Sequence, residues 1–226
     1  VNKKNIIESI ISGILFHGLY LGGCFYSFSI GVPASISALI VSLQPVLTNI
    51  LAGPILKENV SSKQWIGILL GFSGTLMVLG FDVGKTMPII GILATIIALL
   101  AATTGTLWQK KLSYNLPLSV SNFYQAVGAS IFLFIIMLLI EEPFIKFNMK
   151  FTLAMAWQIF AVSFGAFTIL MYLIKVGSAS KTSNLFFLIP PVSAFMAWYF
   201  LNEVIIIYDI FGLIICSLGV FIATRK

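Results

Sequence analysis

The feature that most constrains this chain is a series of apolar runs, each about 18 to 23 residues long. They cover approximately 8–29, 34–55, 64–81, 88–108, 118–140, 153–175, 181–201 and 206–224, and are called A to H below. As a helix, such a run crosses a hydrocarbon core of about 30 Å. Charged side chains gather in the short connections between runs. Only 9% of the residues are charged, against about 25% in a soluble domain, so the chain cannot clothe a water-facing surface. The fold class that follows is all-α: a polytopic membrane protein with eight transmembrane helices. Short connections make helices that are neighbours in sequence antiparallel. Run A is a full-length span behind VNKKN and carries no cleavage-site pattern, so it is not a signal peptide.

Basic residues orient the spans. With eight spans both termini lie on one side, together with Lys3, Lys4, Lys57, Lys63, Lys110, Lys111, Lys175, Lys181, Arg225 and Lys226. The other side holds only Lys85, Lys146 and Lys150, with Asp82, Glu141, Glu142, Glu203 and Asp209. Lys and Arg mark the cytoplasm, so both termini are expected there. The net charge of +6 is thus a topogenic signal. Nucleic acid is not an expected partner, because the bases come as pairs separated by whole spans rather than on one face. Membrane lipid is the expected surroundings.

Enzyme chemistry finds no support. There is no C-x-x-C, H-E-x-x-H, Walker sequence or G-x-S-x-G. With one histidine a His-based metal site is excluded, and neither a metal nor a cofactor is expected. Cys24 and Cys216 lie inside spans A and H as small apolar filler. No paired carboxylates lie within the spans.

The chain also repeats itself. Gly31–Glu58 (GVPASISALIVSLQPVLTNILAGPILKE) returns as Gly177–Glu203 (GSASKTSNLFFLIPPVSAFMAWYFLNE). Tyr26, Gly31, Ser37, Leu39, Pro45 and Val46 align with Tyr172, Gly177, Ser183, Leu185, Pro191 and Val192. After one slipped residue, Glu58, Gly67 and Gly74 align with Glu203, Gly212 and Gly219. Spans A, B and C therefore match F, G and H, five helices later. An odd offset inverts the second copy. Inverted repeats are an architecture of secondary transporters, with the substrate site near the midplane where the repeats meet.

Three features carry a family resemblance: the Pro-bearing B and G segments ending in Glu58 and Glu203, the glycine-spaced C and H helices, and GTLWQKKL with Gly105, Thr106, Gln109 and Lys110. With these the chain resembles the EamA-type branch of the drug/metabolite transporter superfamily, ten-helix bacterial inner-membrane permeases. The resemblance covers residues 8 to 224. It implies two inverted five-helix units (5+5) around a central cavity, and export of small organic solutes. It divides the chain into 1–84, holding helices three to five of the first repeat, and 85–226, holding helices six to ten of the second. Spans D and E have no mates before A, so two further spans of about 20 residues each are expected upstream. A genuinely eight-helix member is the alternative. The tryptophan that many members carry midway along the first helix of each unit has no counterpart in D, where Ala102 and Thr103 stand and Trp108 lies nearer the end.

Site candidates follow from polar residues within the spans. Span A carries Ser9, Gly13, His17, Tyr20, Cys24 and Ser27 on one stripe, which should face protein or a water-filled cavity rather than lipid. His17 lies near mid-span and aligns with Ser163. Three roles are open to it: a hydrogen bond to a neighbouring helix, a substrate contact, or a proton-coupling site. Gln44, Thr103, Thr104, Asn122 and Tyr124 complete the substrate-cavity candidates. Pro45 and Pro191 are candidate kinks or hinges. Gly67, Gly71, Gly74, Gly212 and Gly219 read as helix-packing positions. Glu58 and Glu203 end their spans, where they can bond loop amides, pair with lysine or contact substrate.

The reading that results is a secondary carrier exporting small neutral or zwitterionic metabolites, such as amino acids, by alternating access. The substrate class comes from the resemblance; the spans add a nearly uncharged interior. The alternative is a truncated, non-transporting membrane protein or helper subunit. A second copy of the chain, in a homodimer, is a candidate partner beside the small-molecule substrate.

Overall fold

The computed structural model describes residues 2–79, 88–113, 115–140, 144–189 and 207–225, and also Val192, Phe195, Met196 and Tyr199. Among these residues there are helices and turns and no strand. Helix α1 is Lys3–Ser29. Helices α2 (Ala34–Val41) and α3 (Gln44–Leu56) share run B, and α4 is Ser62–Leu79. Then come α5 (Ile89–Leu112), α6 (Leu118–Ile140) and α7 (Met149–Val176). Helix α8 (Ala179–Asn184) continues as a 3-10 turn over Leu185–Leu188, and α9 is Ile207–Thr224.

Among the described residues six stretches are long and apolar enough to cross a membrane: α1, Ile36–Leu56, α5, α6, α7 and α9. The protein is a multi-pass membrane protein. Of the other two runs, C is the 18-residue α4, and G is described mainly over its first half. The sequence candidates Pro191, Glu203, Asp82, Lys85, Glu141, Glu142 and Lys226 lie outside the described residues.

Side chains sort as lipid solvation requires. Large apolar groups such as Leu93, Ile97, Phe134, Leu138, Phe160, Phe164 and Phe221 are exposed, while Thr95, Thr106, Gln109, Gln125, Asn49 and Asn184 are buried. With no water in the bilayer core, a hydroxyl or amide facing lipid would lose its hydrogen bonds, so polar groups turn toward other helices.

Local chemistry sets the helix ends. Asn2 accepts from the Lys4 N–H at 3.1 Å, Asn148 from Phe151 N–H at 2.8 Å and Ser178 from Lys181 N–H at 3.2 Å. Each is an N-cap that satisfies an orphan donor of the first turn. Helix α3 closes with Lys57 in the left-handed region, φ 57°. The Lys57 and Glu58 N–H groups donate back to Gly53 and Ala52 carbonyls at 3.0 and 3.2 Å, the usual way a left-handed residue ends a helix.

Run B is interrupted in the turn that precedes Pro45, where a proline cannot make the bond to the carbonyl four residues back. Ser42 and Leu43 form a turn after α2, and α3 starts at Gln44 with Pro45 in its first turn. There the missing proline N–H has no helical acceptor to lose. Pro45 thus stands in the first turn of α3, next to the break in run B.

Both first helices of the repeat widen. Ile14–Leu21 of α1 and Trp157–Ala166 of α7 are π-helical. A 146-residue offset maps 14–21 onto 160–167, so the two stretches overlap in the repeat. They contain His17 and Ser163. Ser163 donates to Gln158 O at 3.1 Å, five residues back, in π register. Such stretches are rare and concentrate at functional sites.

Glycines bring α4 and α9 together. A Cβ on Gly67 would lie 2.5 Å from Gly219 O and from Ala223 N, and one on Gly74 would lie 2.7 Å from Cys216 N. One on Gly219 would meet Gly67 O at 2.7 Å, and one on Gly212 would meet Gly74 O at 2.8 Å. The helices touch backbone to backbone, as small-residue interfaces allow. Gly71 instead makes room for the Phe187 ring, 2.7 Å from its would-be Cβ.

Candidate functional site

Helix α5 organises the interior. Gly91, Thr95, Ala98, Ala102, Gly105, Thr106 and Gln109 recur at three- and four-residue spacing on its buried face. Each polar member reaches a different neighbour. Thr95 donates to Ser27 Oγ on α1 at 2.9 Å and lies 3.1 Å from Ser37 Oγ on α2. Thr106 accepts from Gln44 Nε2 of α3 at 3.1 Å. Gln109 Oε1 accepts from Gln125 Nε2 of α6 at 2.7 Å, and Gln125 also donates to Ser121 at 2.9 Å. Sequence reasoning named Gln109 as part of the family resemblance and Gln125 beside Asn122 and Tyr124 at the start of span E, placed neither among the cavity candidates, and passed over Thr95. The small-and-polar stripe along run D was the signal that could have found them.

The lysine-rich end is clamped. Lys110, 5% exposed, donates to the carbonyls of Ile174, Lys175 and Gly177 at 2.9, 3.1 and 2.5 Å. These are the orphan acceptors at the C-terminus of α7, where the helix dipole favours a cation. A few residues on, the Glu58 carboxylate accepts from Ala179 N–H at 2.9 Å and Ser180 N–H at 3.0 Å. That is the N-terminus of α8, where the dipole favours an anion. The α7–α8 connection is thus held on one side by a cation from α5 and on the other by an anion from the end of α3. Asn49 adds bonds to Asn184 Oδ1 at 2.8 Å and to Pro45 O at 2.7 Å.

Between α1, α2, α3, α5 and the 3-10 end of α8 lies a cavity of about 260 Å³. Phe16, Tyr20, Phe25, Phe28 and Phe186 supply aromatic walls, and Ser37, Ser42 and Gln44 supply the polar groups apart from the Tyr20 hydroxyl and Cys24 thiol. No charged side chain lines it among the described residues.

The structure separates the sequence candidates. Tyr20 and Gln44 line this cavity. His17 is not among its lining residues; its ring stands edge-on to Phe167 of α7, centroids 4.3 Å apart. It sits beside the cluster of Phe16, Met171 and Ile174 where α1 meets α7. Thr103 is buried and donates to Leu99 O of its own helix. Thr104 is exposed, donates to Leu100 O, and lines a separate cleft with Glu8, Ile55, Trp108 and Lys111. Ser163 is exposed on α7. Asn122 and Tyr124 are half-buried on α6; Asn122 Oδ1 has no partner among the described residues, and Tyr124 packs edge-on to Phe123. Among the described residues no His, Cys, Asp and Glu cluster could hold a metal ion.

Known proteins resemble this chain, some in sequence and one in fold. An uncharacterized transporter of Bacillus subtilis (strain 168), YyaM, is 31% identical over 98% of this chain and 74% of its own length. A second from the same organism, YvbV, is 27% identical over 98% and 71% respectively. A solved structure, titled only as the crystal structure of a protein, superposes with TM-score 0.75 over 97% of this chain and 86% of its own at 15% identity, which speaks for the fold alone. The model of the EamA-like transporter family matches residues 2–80 and 89–225. This chain, a multi-pass helical membrane protein, belongs to the EamA-like transporter family.

Proposed function

We propose that this membrane transporter is a secondary carrier that exports small neutral or zwitterionic metabolites, such as amino acids, by alternating access across a bacterial inner membrane. The observation that carries the reading is the aromatic cavity walled by span A and the repeat-related spans B and G, together with a clamp of opposite charges on the connection between F and G. Spans of opposite topology that meet at a cavity can exchange conformations, and so open it to either side in turn. The clamp supplies a discrete contact to break. Lys110 and Glu58 bind helix termini, not each other, so the α7–α8 connection can leave as a unit while its dipole ends become solvated.

In this reading the lysine-rich end faces the cytoplasm, as the positive-inside rule directs. Tyr20 and Gln44 contact the substrate. His17 positions α1 against α7, and Ser163, Thr103, Thr104, Asn122 and Tyr124 stand away from the bound solute. The test is solute flux in proteoliposomes reconstituted from the native gene product. Counterflow of a labelled neutral or zwitterionic solute, reduced by Ala38→Leu in the cavity wall, is the expected result. A protein that moves no such solute under any gradient would defeat the carrier reading.

A further inference from the structure

We propose that the cleft at the lysine-rich end of α5 binds a phospholipid with a primary-ammonium headgroup, Lys111 taking its phosphate and Glu8 its ammonium. Nothing in this depends on which solute is carried. Ala102 lines the aromatic cavity and Thr104 lines the cleft, two residues apart and so about 200° apart around the helix.

Away from its buried stripe, α5 carries Leu93, Ile97, Leu100, Thr104, Trp108 and Lys111 at three- and four-residue spacing, along one line of the helix. All are exposed except Trp108, which is half-buried. This line changes character along its length as a lipid does. Eleven residues separate Leu93 from Thr104. They span about 16 Å of helix, close to half of a hydrocarbon core of about 30 Å, which is the depth of one leaflet's acyl chains. Lys111 lies about 10 Å beyond Thr104, in the headgroup layer, where indoles and lysine ammoniums settle.

At that level three helices wall the cleft: Glu8 of α1, Ile55 of α3, and Thr104, Leu107, Trp108 and Lys111 of α5. It holds one acid and one base, and among the described residues these two form no ion pair with each other. Glu8 Oε1 has the Lys4 ammonium at 3.9 Å, on a lysine side chain that is 78% exposed, so that pair holds the carboxylate weakly. Among the described residues neither the Lys111 ammonium nor the Trp108 indole N–H has a hydrogen-bond partner. The cleft therefore offers an acceptor on one wall and donors on another. A phosphodiester accepts from a lysine and an indole, and a primary ammonium donates to a carboxylate. A quaternary ammonium has no N–H for Glu8. A headgroup with a phosphate and no ammonium gains Lys111 but sets its negative charge beside Glu8. Only the aminophospholipid suits both walls.

Phosphatidylethanolamine, phosphatidylcholine and phosphatidylglycerol with the same acyl chains are the probes. Each is added in mixed micelles to the native gene product, stripped of lipid in detergent. Binding is read from the rise of the thermal unfolding midpoint with lipid mole fraction. Phosphatidylethanolamine should bind roughly tenfold tighter than phosphatidylcholine, the size of one hydrogen bond to a charged group, and phosphatidylglycerol no tighter than phosphatidylcholine. Glu8→Gln should erase the preference for ethanolamine over choline. Lys111→Gln should weaken all three lipids alike. Lys4→Gln removes a charge one turn from Glu8 that does not line the cleft, and should keep the preference. Should Glu8→Gln not fold, Thr104→Trp fills the cleft from its exposed side without touching either charge, and should weaken all three lipids. Phosphatidylglycerol or phosphatidylcholine binding as tightly as phosphatidylethanolamine would overturn the proposal. So would an ethanolamine preference that survives Glu8→Gln or is lost in Lys4→Gln, and so would lipid binding unaffected by Lys111→Gln or by Thr104→Trp.

Discussion

Replacing Gly67 by alanine should loosen the α4–α9 pair, and the geometry gives the size of the effect. The new Cβ would lie 2.5 Å from Gly219 O and from Ala223 N, where ordinary contact starts at 3.4 Å. The shortfall is 3.4 − 2.5 = 0.9 Å. Both obstacles are backbone atoms, so no rotamer change relieves them and the helices must part by nearly that distance. A radial gap of about 0.5–1 Å forfeits a quarter to a half of each contact's attraction, and overpacking of this kind costs about 1–3 kcal/mol. Gly53→Ala is the matched control, since its Cβ would meet only Glu58 O at 3.7 Å. It should be neutral or gain up to about 1 kcal/mol from the better helix former. The assay is reversible unfolding in mixed detergent and SDS micelles, followed by helix signal. A Gly67→Ala midpoint no lower than that of Gly53→Ala would refute the backbone-contact reasoning. The double variant Gly67→Ala with Ala223→Gly sharpens the test. It removes the methyl at 2.7 Å but leaves both backbone contacts, so rescue should be partial, and full rescue would place the clash in the side chain.

Glu58→Ala should release the N-terminus of α8 and raise maleimide labelling of a Ser178→Cys reporter from the lysine-rich side, with Glu58→Gln intermediate because it keeps one acceptor oxygen; equal labelling in all three would remove the clamp from the mechanism. Lys110→Met leaves the three α7 carbonyls without this donor and should cost about 1.5–3 kcal/mol, seen as a lower unfolding midpoint in the same SDS assay. His17→Phe should keep stability and flux, because an aromatic ring still packs on Phe167, whereas His17→Ala should lose stability; abolished flux in His17→Phe would return the histidine to the solute path. Cysteines replacing Lys146 and Lys150 should label from outside sealed cells, and those replacing Lys57 and Lys111 should not; the opposite pattern would invert the orientation.

The sequence by itself determined that this chain crosses a membrane many times, and it shows a segment that recurs five apolar runs later. Run length, hydropathy and the lysine bias are properties of consecutive residues, and the bilayer reads them one span at a time. The four- and three-residue spacing of Gly67, Gly71 and Gly74 likewise marked a contact face on span C. Tertiary structure decided which helix meets that face, because a glycine stripe specifies closeness and not a partner. It also decided among polar residues that look alike in sequence. Thr103 and Thr104 bond carbonyls of their own helix, while Thr95 and Thr106 do so and also bond across to other helices. Lys110 and Lys111 are neighbours, yet only Lys110 is placed to donate to the end of α7, 64 to 67 residues away. Glu58 reaches an α8 terminus 121 residues on. Hydrogen bonds in hydrocarbon are made with whatever group packing delivers, and packing is a property of the whole bundle, so the cavity and its clamp exist only once the helices have met.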